Sequence, residues 1–105
     1  MSWLYLLLAG LLEIGWPVGL KMAQVPASRW TGIALAVVTM VASGTLLWLA
    51  QRQIPMGLAY AVWTGIGAAG TFLVGVHFYG HAASSGHYLG IGLIIMGVLC
   101  LNLAR

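Results

Sequence analysis

The chain has 105 residues, of which 62% are hydrophobic and only 5% are charged, and its formal net charge is +3. An ordinary soluble domain carries about 25% charged residues, so this composition excludes one and indicates an integral membrane protein. The four basic residues are scattered along the chain. This pattern argues against a nucleic-acid surface or a polybasic lipid-binding patch.

The apolar runs predict an all-α protein with four transmembrane helices in a single domain, 1–105. A membrane-spanning helix needs about 20 apolar residues, so the length leaves room for little else. The runs are continuous and too long for the alternating strands of about 10 residues that build a membrane barrel. Polar, Gly and Pro residues separate them. In chain order the helices are predicted over about 3–21, 32–51, 56–79 and 87–104.

Glu13 is the only acidic residue and lies in the middle of the first predicted helix. An ionisable side chain there costs roughly 3 kcal/mol on insertion scales and usually marks an ion or substrate path. Gly10 and Trp16 share its helix face. Pro17 has no N–H, so the Glu13 carbonyl loses its helical partner, which predicts either a bend of the helix or a polar group that lines a cavity. The alternative is that Glu13 only holds helices together by a hydrogen bond.

Hydroxyl and aromatic side chains on the second and third helices could complete a cation site around Glu13. Ser43 follows Thr39 by one turn, and Tyr60, Trp63 and Thr64 share a face of the third helix. Aromatic faces add about 0.5–2 kcal/mol of cation–π attraction. The same carboxylate could bind a proton. Alternatively, the hydroxyls only form contacts between helices, and the aromatic side chains lie at the membrane interface.

Small residues on the last two helices predict close helix contacts. Gly65 and Gly67 belong to a glycine-rich stretch that would allow close packing or a hinge. The fourth helix has small residues seven apart, branched residues between them and no internal ionisable group. It predicts a packing seam, most simply for dimerisation, and the alternative is a lipid-facing surface. The predicted seam consists of Gly90, Leu93, Ile94, Gly97 and Val98.

The histidines and the cysteine do not predict a metal or catalytic centre. His77 and His81 have the i,i+4 spacing of metal ligands, and His87 is near, but no carboxylate or cysteine lies close in sequence. Cys100 is predicted to be an apolar packing or lipid-facing residue and not a reactive thiol. Neither a nucleophile–base pair nor a phosphate loop is evident, so we predict no enzyme activity, no metal and no cofactor. The N-terminus lacks the features of a cleaved signal peptide.

The basic residues divide evenly between the two sides of the membrane. Lys21 and Arg29 flank the first loop, whereas Arg52 and Arg105 fall on the opposite side. Orientation follows Lys/Arg asymmetry, so this chain is predicted to insert in both orientations. Alternating-access transporters commonly use two inverted repeats. An antiparallel homodimer of a dual-topology chain could supply both.

Two sequence stretches carry a family resemblance. They are 9–21 (AGLLEIGWPVGLK) and 55–68 (PMGLAYAVWTGIGA), and the seam of the fourth helix resembles a family dimerisation motif. Across its whole length the chain resembles the small multidrug resistance family, and within it the guanidinium-exporter branch. The resemblance implies an antiparallel homodimer of four-helix protomers in the inner (plasma) membrane. Such proteins exchange a cytoplasmic cation for protons at a site between two symmetry-related carboxylates.

The resemblance also implies roles for individual residues. Glu13 matches the family carboxylate, and Gly65 and Gly67 match the bend of the third helix. Trp16 implies a narrow site for a small planar cation such as guanidinium. The positions around the carboxylate are matched by Gly10, Trp16, Ser43, Tyr60 and Trp63. The alternatives are an exporter of quaternary ammonium or aromatic cations, a small dual-topology ion channel, and an accessory or paired subunit that does not transport alone.

Overall fold

The computed structural model describes residues 1–104, and every regular element among them is helical. Arg105, one of the cations used in the orientation argument, lies outside the described residues. The elements are α1 (Ser2–Glu13), α2 (Gly15–Ala23), a 3₁₀ turn (Pro26–Ser28), α3 (Arg29–Ala50), α4 (Met56–Phe78) and α5 (Ser85–Ala104). Four helical stretches are long and apolar enough to cross a membrane: α1 with α2, the 3₁₀ turn with α3, α4, and α5.

The first span is interrupted at Ile14, where the sequence predicted a single helix over 3–21. Pro17 has no N–H, so the carbonyl of Glu13 has no partner one turn later. The Ile14 amide donates to the Leu11 carbonyl at 3.2 Å, three residues back instead of four. The dihedral angles of Ile14 remain helical, with φ −64° and ψ −32°. The interruption is therefore one of hydrogen bonding, and it falls directly after the carboxylate.

Two helices begin earlier than the apolar runs predicted, because local contacts extend them. Before α3, the 3₁₀ turn that begins at Pro26 leads directly into the helix, and the Ser28 hydroxyl donates to the Met22 carbonyl at 2.7 Å. Before α5, the Ser84 amide donates to His87 Nδ1 at 3.1 Å, and the His87 amide donates to Ser84 Oγ at 3.3 Å. This reciprocal pair is a capping box with histidine in the usual place of glutamate.

The helices form a thin layer with α1 in its middle. α1 packs against α3 and α4, α2 packs against α3, and α5 packs against α4. The described chain measures 44 × 34 × 16 Å, and a helix with its side chains is about 10 Å across. Its short dimension therefore holds little more than one helix layer. A small core at one end consists of Leu6, Ala50, Ile54, Ala59 and Val62.

Two glycines allow α2 and α3 to touch backbone to backbone. A Cβ added at Gly32 would lie 2.6 Å from the Ala23 nitrogen and would also collide with the Gly19 carbonyl oxygen. A Cβ added at Gly19 would lie 2.6 Å from the Gly32 carbonyl oxygen. Backbone atoms cannot move aside as a flexible side chain can. The crossing of these two helices therefore requires glycine at both positions.

We expect Gly32→Ala to destabilise the protein by about 1–3 kcal/mol, because the added methyl group must force the two backbones apart. The matched control is Gly44→Ala on the same helix, where nothing lies within 4 Å of an added Cβ. Unfolding of both variants in detergent, followed by circular dichroism, measures the difference. Equal stability of the two variants would show that this crossing is not tightly packed.

Candidate cation-binding site

The Glu13 side chain lies against α4 at Gly67. A Cβ added at Gly67 would lie 3.0 Å from Glu13 Cβ and would collide with Glu13 Cγ. Gly67 is itself buried, and Glu13 is half-buried. Because Gly67 has no side chain, the Glu13 side chain has space to lie between α1 and α4.

The indole of Trp16 holds the carboxylate in place. Trp16 Nε1 donates a hydrogen bond to Glu13 Oε1, across the interruption between α1 and α2. Hydrogen bonds to a carboxylate are stronger than those between neutral groups, and they fix its orientation. This bond engages one carboxylate oxygen. A carboxylate has about four lone-pair sites, so both oxygens can still accept hydrogen bonds from a ligand.

Glu13 and Trp16 line an open groove of about 260 Å³ between the first span and α4. Drug-sized ligands occupy pockets of roughly 300–1,000 Å³, so this groove is suited to a smaller molecule. Its polar side chains are the carboxylate, the indole N–H and two threonine hydroxyls. The lining residues are Glu13, Trp16, Pro17, Thr64, Gly67, Ala68 and Thr71.

Ser43 joins three helices next to this groove. It is 1% exposed. Ser43 Oγ donates to the Ala9 carbonyl at 2.6 Å, and Trp63 Nε1 donates to Ser43 Oγ at 2.8 Å. Ala9 lies one turn before Glu13 on α1. The Ser43 hydroxyl therefore both donates and accepts a hydrogen bond. These two bonds connect α3 to α4 and to α1, the helix that carries Glu13.

The structure places the predicted pocket residues in two groups. Glu13 and Trp16 line the groove, whereas Ser43 and Trp63 form the neighbouring network and are not part of its lining. Tyr60 extends this network, because its ring centroid lies 5.4 Å from that of Trp63. Tyr60 is 56% exposed, so its ring lies at the surface of the chain.

Gly10, which the resemblance implies lies beside Glu13, packs against Ile66 of α4. A Cβ added at Gly10 would lie 2.8 Å from Ile66 Cβ. Gly10 therefore sets the distance between α1 and α4 one turn before the carboxylate.

The predicted hinge and seam residues meet each other in the structure. A Cβ added at Gly65 would lie 2.6 Å from Val98 Cγ2 and 3.4 Å from Ile94 Cγ2, so these two seam residues face α4. Leu93 is 65% exposed, and the space around Gly90 and Gly97 is open. α4 is continuous through its glycines, and a hinge at Gly65 and Gly67 remains a prediction.

The structure places Thr64 and Thr71 in the groove, and of these the sequence singled out only Thr64. The signal that could have found Thr71 is its spacing. Thr64, Gly67 and Thr71 are three and four residues apart, so they share the α4 face that meets Glu13.

The histidines and Cys100 are not among the residues that line the groove around Glu13. His81 stacks on Tyr79, with ring centroids 6.0 Å apart, and His87 caps α5. Within residues 1–104 no group of three or more His, Cys, Asp or Glu side chains is close enough to hold a metal ion. Cys100 is exposed on α5.

Comparison with known proteins assigns the family. The family model described as Small Multidrug Resistance protein matches residues 1–94. Proteins named Guanidinium exporter from Yersinia pseudotuberculosis, Salmonella typhimurium and Citrobacter freundii are 46%, 45% and 43% identical to this chain over 104 residues. These matches cover 99% of this chain and 99%, 98% and 98% of the relatives. The chain belongs to the small multidrug resistance family. As a family member with four spans, it is a multi-pass protein of the inner membrane.

In this small multidrug resistance protein we expect Gly67→Ala to displace the Glu13 side chain and break its bond with Trp16. The variant should also lose about 1–3 kcal/mol of stability through overpacking. The indole N–H resonance of Trp16 should move upfield in NMR spectra of tryptophan-labelled protein, because it loses a carboxylate acceptor. Gly57→Ala on the same helix, where an added Cβ has open space, is the matched control. An unmoved Trp16 resonance in Gly67→Ala would contradict the proposed contact.

Proposed function

We propose that this protein is a proton-coupled antiporter that exports guanidinium or small guanidinyl cations. The observation that carries the proposal is the chain's only carboxylate, Glu13, held by the Trp16 indole in a small groove within the membrane spans. The relatives named Guanidinium exporter, 43–46% identical over nearly their whole length, support the choice of cation.

The chemistry of the groove supports a planar cation with N–H donors. Two parallel N–H bonds of a guanidinium group match the two oxygens of a carboxylate. Trp16 occupies one side of the Glu13 carboxylate, and the groove of about 260 Å³ is smaller than the pockets of most drug-sized ligands. A low-dielectric setting strengthens this attraction relative to water.

Competition for Glu13 supplies the coupling to protons. The groove contains no second acidic side chain, so a proton and a cation must use the same carboxylate. Binding of one therefore displaces the other, and an inward proton gradient drives the cation out. We expect guanidinium binding to weaken as the pH falls for the same reason.

The proposal includes an antiparallel homodimer with Glu13 of both protomers at one site. Its support is the thin helix layer and α5, on which none of the described residues is buried. The open surroundings of Gly90 and Gly97 on that helix suit the close helix contacts found in membranes. Two oppositely inserted copies would supply the inverted repeats of an alternating-access transporter.

In the proposed cycle the two protomers adopt unequal conformations and exchange them. Access to the groove then passes from one side of the membrane to the other. α4 is the element that we expect to flex, near Gly65 and Gly67, because it contacts Glu13 on one face and α5 on the other. The Ile14 interruption gives the first span a second point of adjustment.

Purified protein in proteoliposomes should take up guanidinium when protons flow out of the vesicles down their gradient. Glu13→Gln should reduce this uptake at least about 100-fold. The amide is neutral, so it neither pairs with the cation nor carries the transported proton. The control is Thr45→Val, because the Thr45 hydroxyl is exposed and donates to the Val41 carbonyl of its own helix at 2.8 Å. Its uptake should equal that of the unmodified protein.

Other results of this experiment would replace the proposal. Transport of quaternary ammonium or aromatic cations without guanidinium would indicate a multidrug exporter. Rapid uptake that is indifferent to a counter-ion would indicate a channel. Absence of transport of any of these cations would indicate a subunit that works only with a paired chain.

If the chain inserts in both orientations, each end of the helix bundle faces the outside of the cell in some molecules and the cytoplasm in others. In a Cys100→Ser background, Ala27→Cys near the first loop and Gln51→Cys at the end of α3 report opposite sides, and both positions are exposed. A membrane-impermeant maleimide should label about half of each variant in intact cells. Full labelling of one variant and none of the other would establish a single orientation.

A further inference from the structure

Thr71 Oγ1 is buried and has no hydrogen-bond partner among residues 1–104. A threonine within a helix ordinarily bonds the carbonyl four residues earlier. Two other threonines in this chain do so: Thr39 donates to the Leu35 carbonyl at 2.7 Å, and Thr45 donates to the Val41 carbonyl at 2.8 Å. The unpaired state of the Thr71 hydroxyl is therefore not a general property of threonines in this fold.

The Thr71 side chain lies at the boundary between two grooves. It lines the groove that contains Glu13 and Trp16, four residues, or about 6 Å along the helix, beyond Gly67. It also lines a second groove of about 300 Å³, which extends past Pro17 to Lys21 and His81. A ligand that moves between the carboxylate and that end of the first span passes this side chain, and a rotation about its χ1 angle brings the buried hydroxyl to the ligand.

An unpaired buried hydroxyl favours a ligand that can bond it, because such a ligand removes an existing desolvation penalty. Guanidinium has N–H bonds around its whole edge. When one edge pairs with the Glu13 carboxylate, N–H groups on the other edges still need acceptors. A quaternary ammonium ion has no N–H bond and gains nothing from the hydroxyl.

We infer that Thr71 is a specificity-determining residue: its hydroxyl oxygen accepts a hydrogen bond from a substrate N–H that the Glu13 carboxylate leaves unpaired. It thereby favours guanidinium-type cations over quaternary ammonium cations. This inference rests on the proposed transport function and adds a substrate-selecting contact on α4. It assigns that contact to a residue outside the Ser43 and Trp63 network.

The test compares the affinities of guanidinium and tetramethylammonium for purified protein, measured by calorimetry, together with guanidinium uptake into proteoliposomes. Thr71→Val keeps the shape of the side chain and removes the hydroxyl. The ratio of guanidinium to tetramethylammonium affinity should fall about tenfold, which corresponds to about 1.4 kcal/mol. Thr71→Ser should retain the ratio of the unmodified protein. Thr45→Val, which alters a hydroxyl bonded within its own helix, should leave the ratio unchanged.

The possible outcomes separate this inference from the proposed function. If the unmodified protein transports guanidinium but Thr71→Val keeps its selectivity ratio, the inference is wrong and the transport function stands. An equal loss of affinity for both cations would assign Thr71 a structural role and would also overturn the inference. If the unmodified protein neither binds nor transports guanidinium, both proposals fail. Thr71→Ala gives the same comparison should the valine variant not fold.

Discussion

A single carboxylate within membrane-spanning helices is the constraint on which the rest of this structure depends. Its charge costs roughly 3 kcal/mol to place there on insertion scales. The described basic residues, Lys21, Arg29 and Arg52, are all exposed near helix ends, so none is placed to neutralise it. Within residues 1–104, the hydrogen bond that it accepts comes from the Trp16 indole N–H. The balancing positive charge must come from outside, as a proton or as a cation, and this requirement is the physical basis of exchange.

The local chain geometry next to Glu13 supports the same chemistry. Glu13 and Trp16 are three residues apart, so they share a helix face, and the indole reaches the carboxylate. Pro17 removes the amide that would have bonded the Glu13 carbonyl. The side chain of Pro17 also lines both grooves that meet at Thr71. One short segment thus supplies the charge, the donor that orients it and a point where the helix can adjust.

The sequence predicts features that depend on composition or on spacing within one helix. It predicts the four apolar helices, the pairing of Glu13 with Trp16 on one face, and a disturbance near Pro17. It does not predict which residues face each other across helices, because helical periodicity leaves the register between helices open. The contacts of Gly67 with the Glu13 side chain and of Gly10 with Ile66 join α1 and α4 and depend on this register. The bond from Trp63 to Ser43 and the unpaired Thr71 hydroxyl also depend on that register. The early start of α5 depends on a histidine capping box, a pattern usually sought with glutamate.

The shape of the chain explains why so small a protein would need a second copy to act as a transporter. The described chain is 16 Å thick, and the groove that contains Glu13 is open. In the proposed antiparallel pair, the exposed part of α5 would provide the contact, and the second Glu13 would reach the ion from the opposite direction. Two carboxylates can share a planar cation through its separate edges, and the Thr71 hydroxyls would then accept N–H bonds that the carboxylates leave unpaired. Such an arrangement would select for N–H donors around the whole edge of the ion. A single carboxylate in an aromatic pocket would instead select mainly for charge, and this difference would favour guanidinium over cations without N–H bonds.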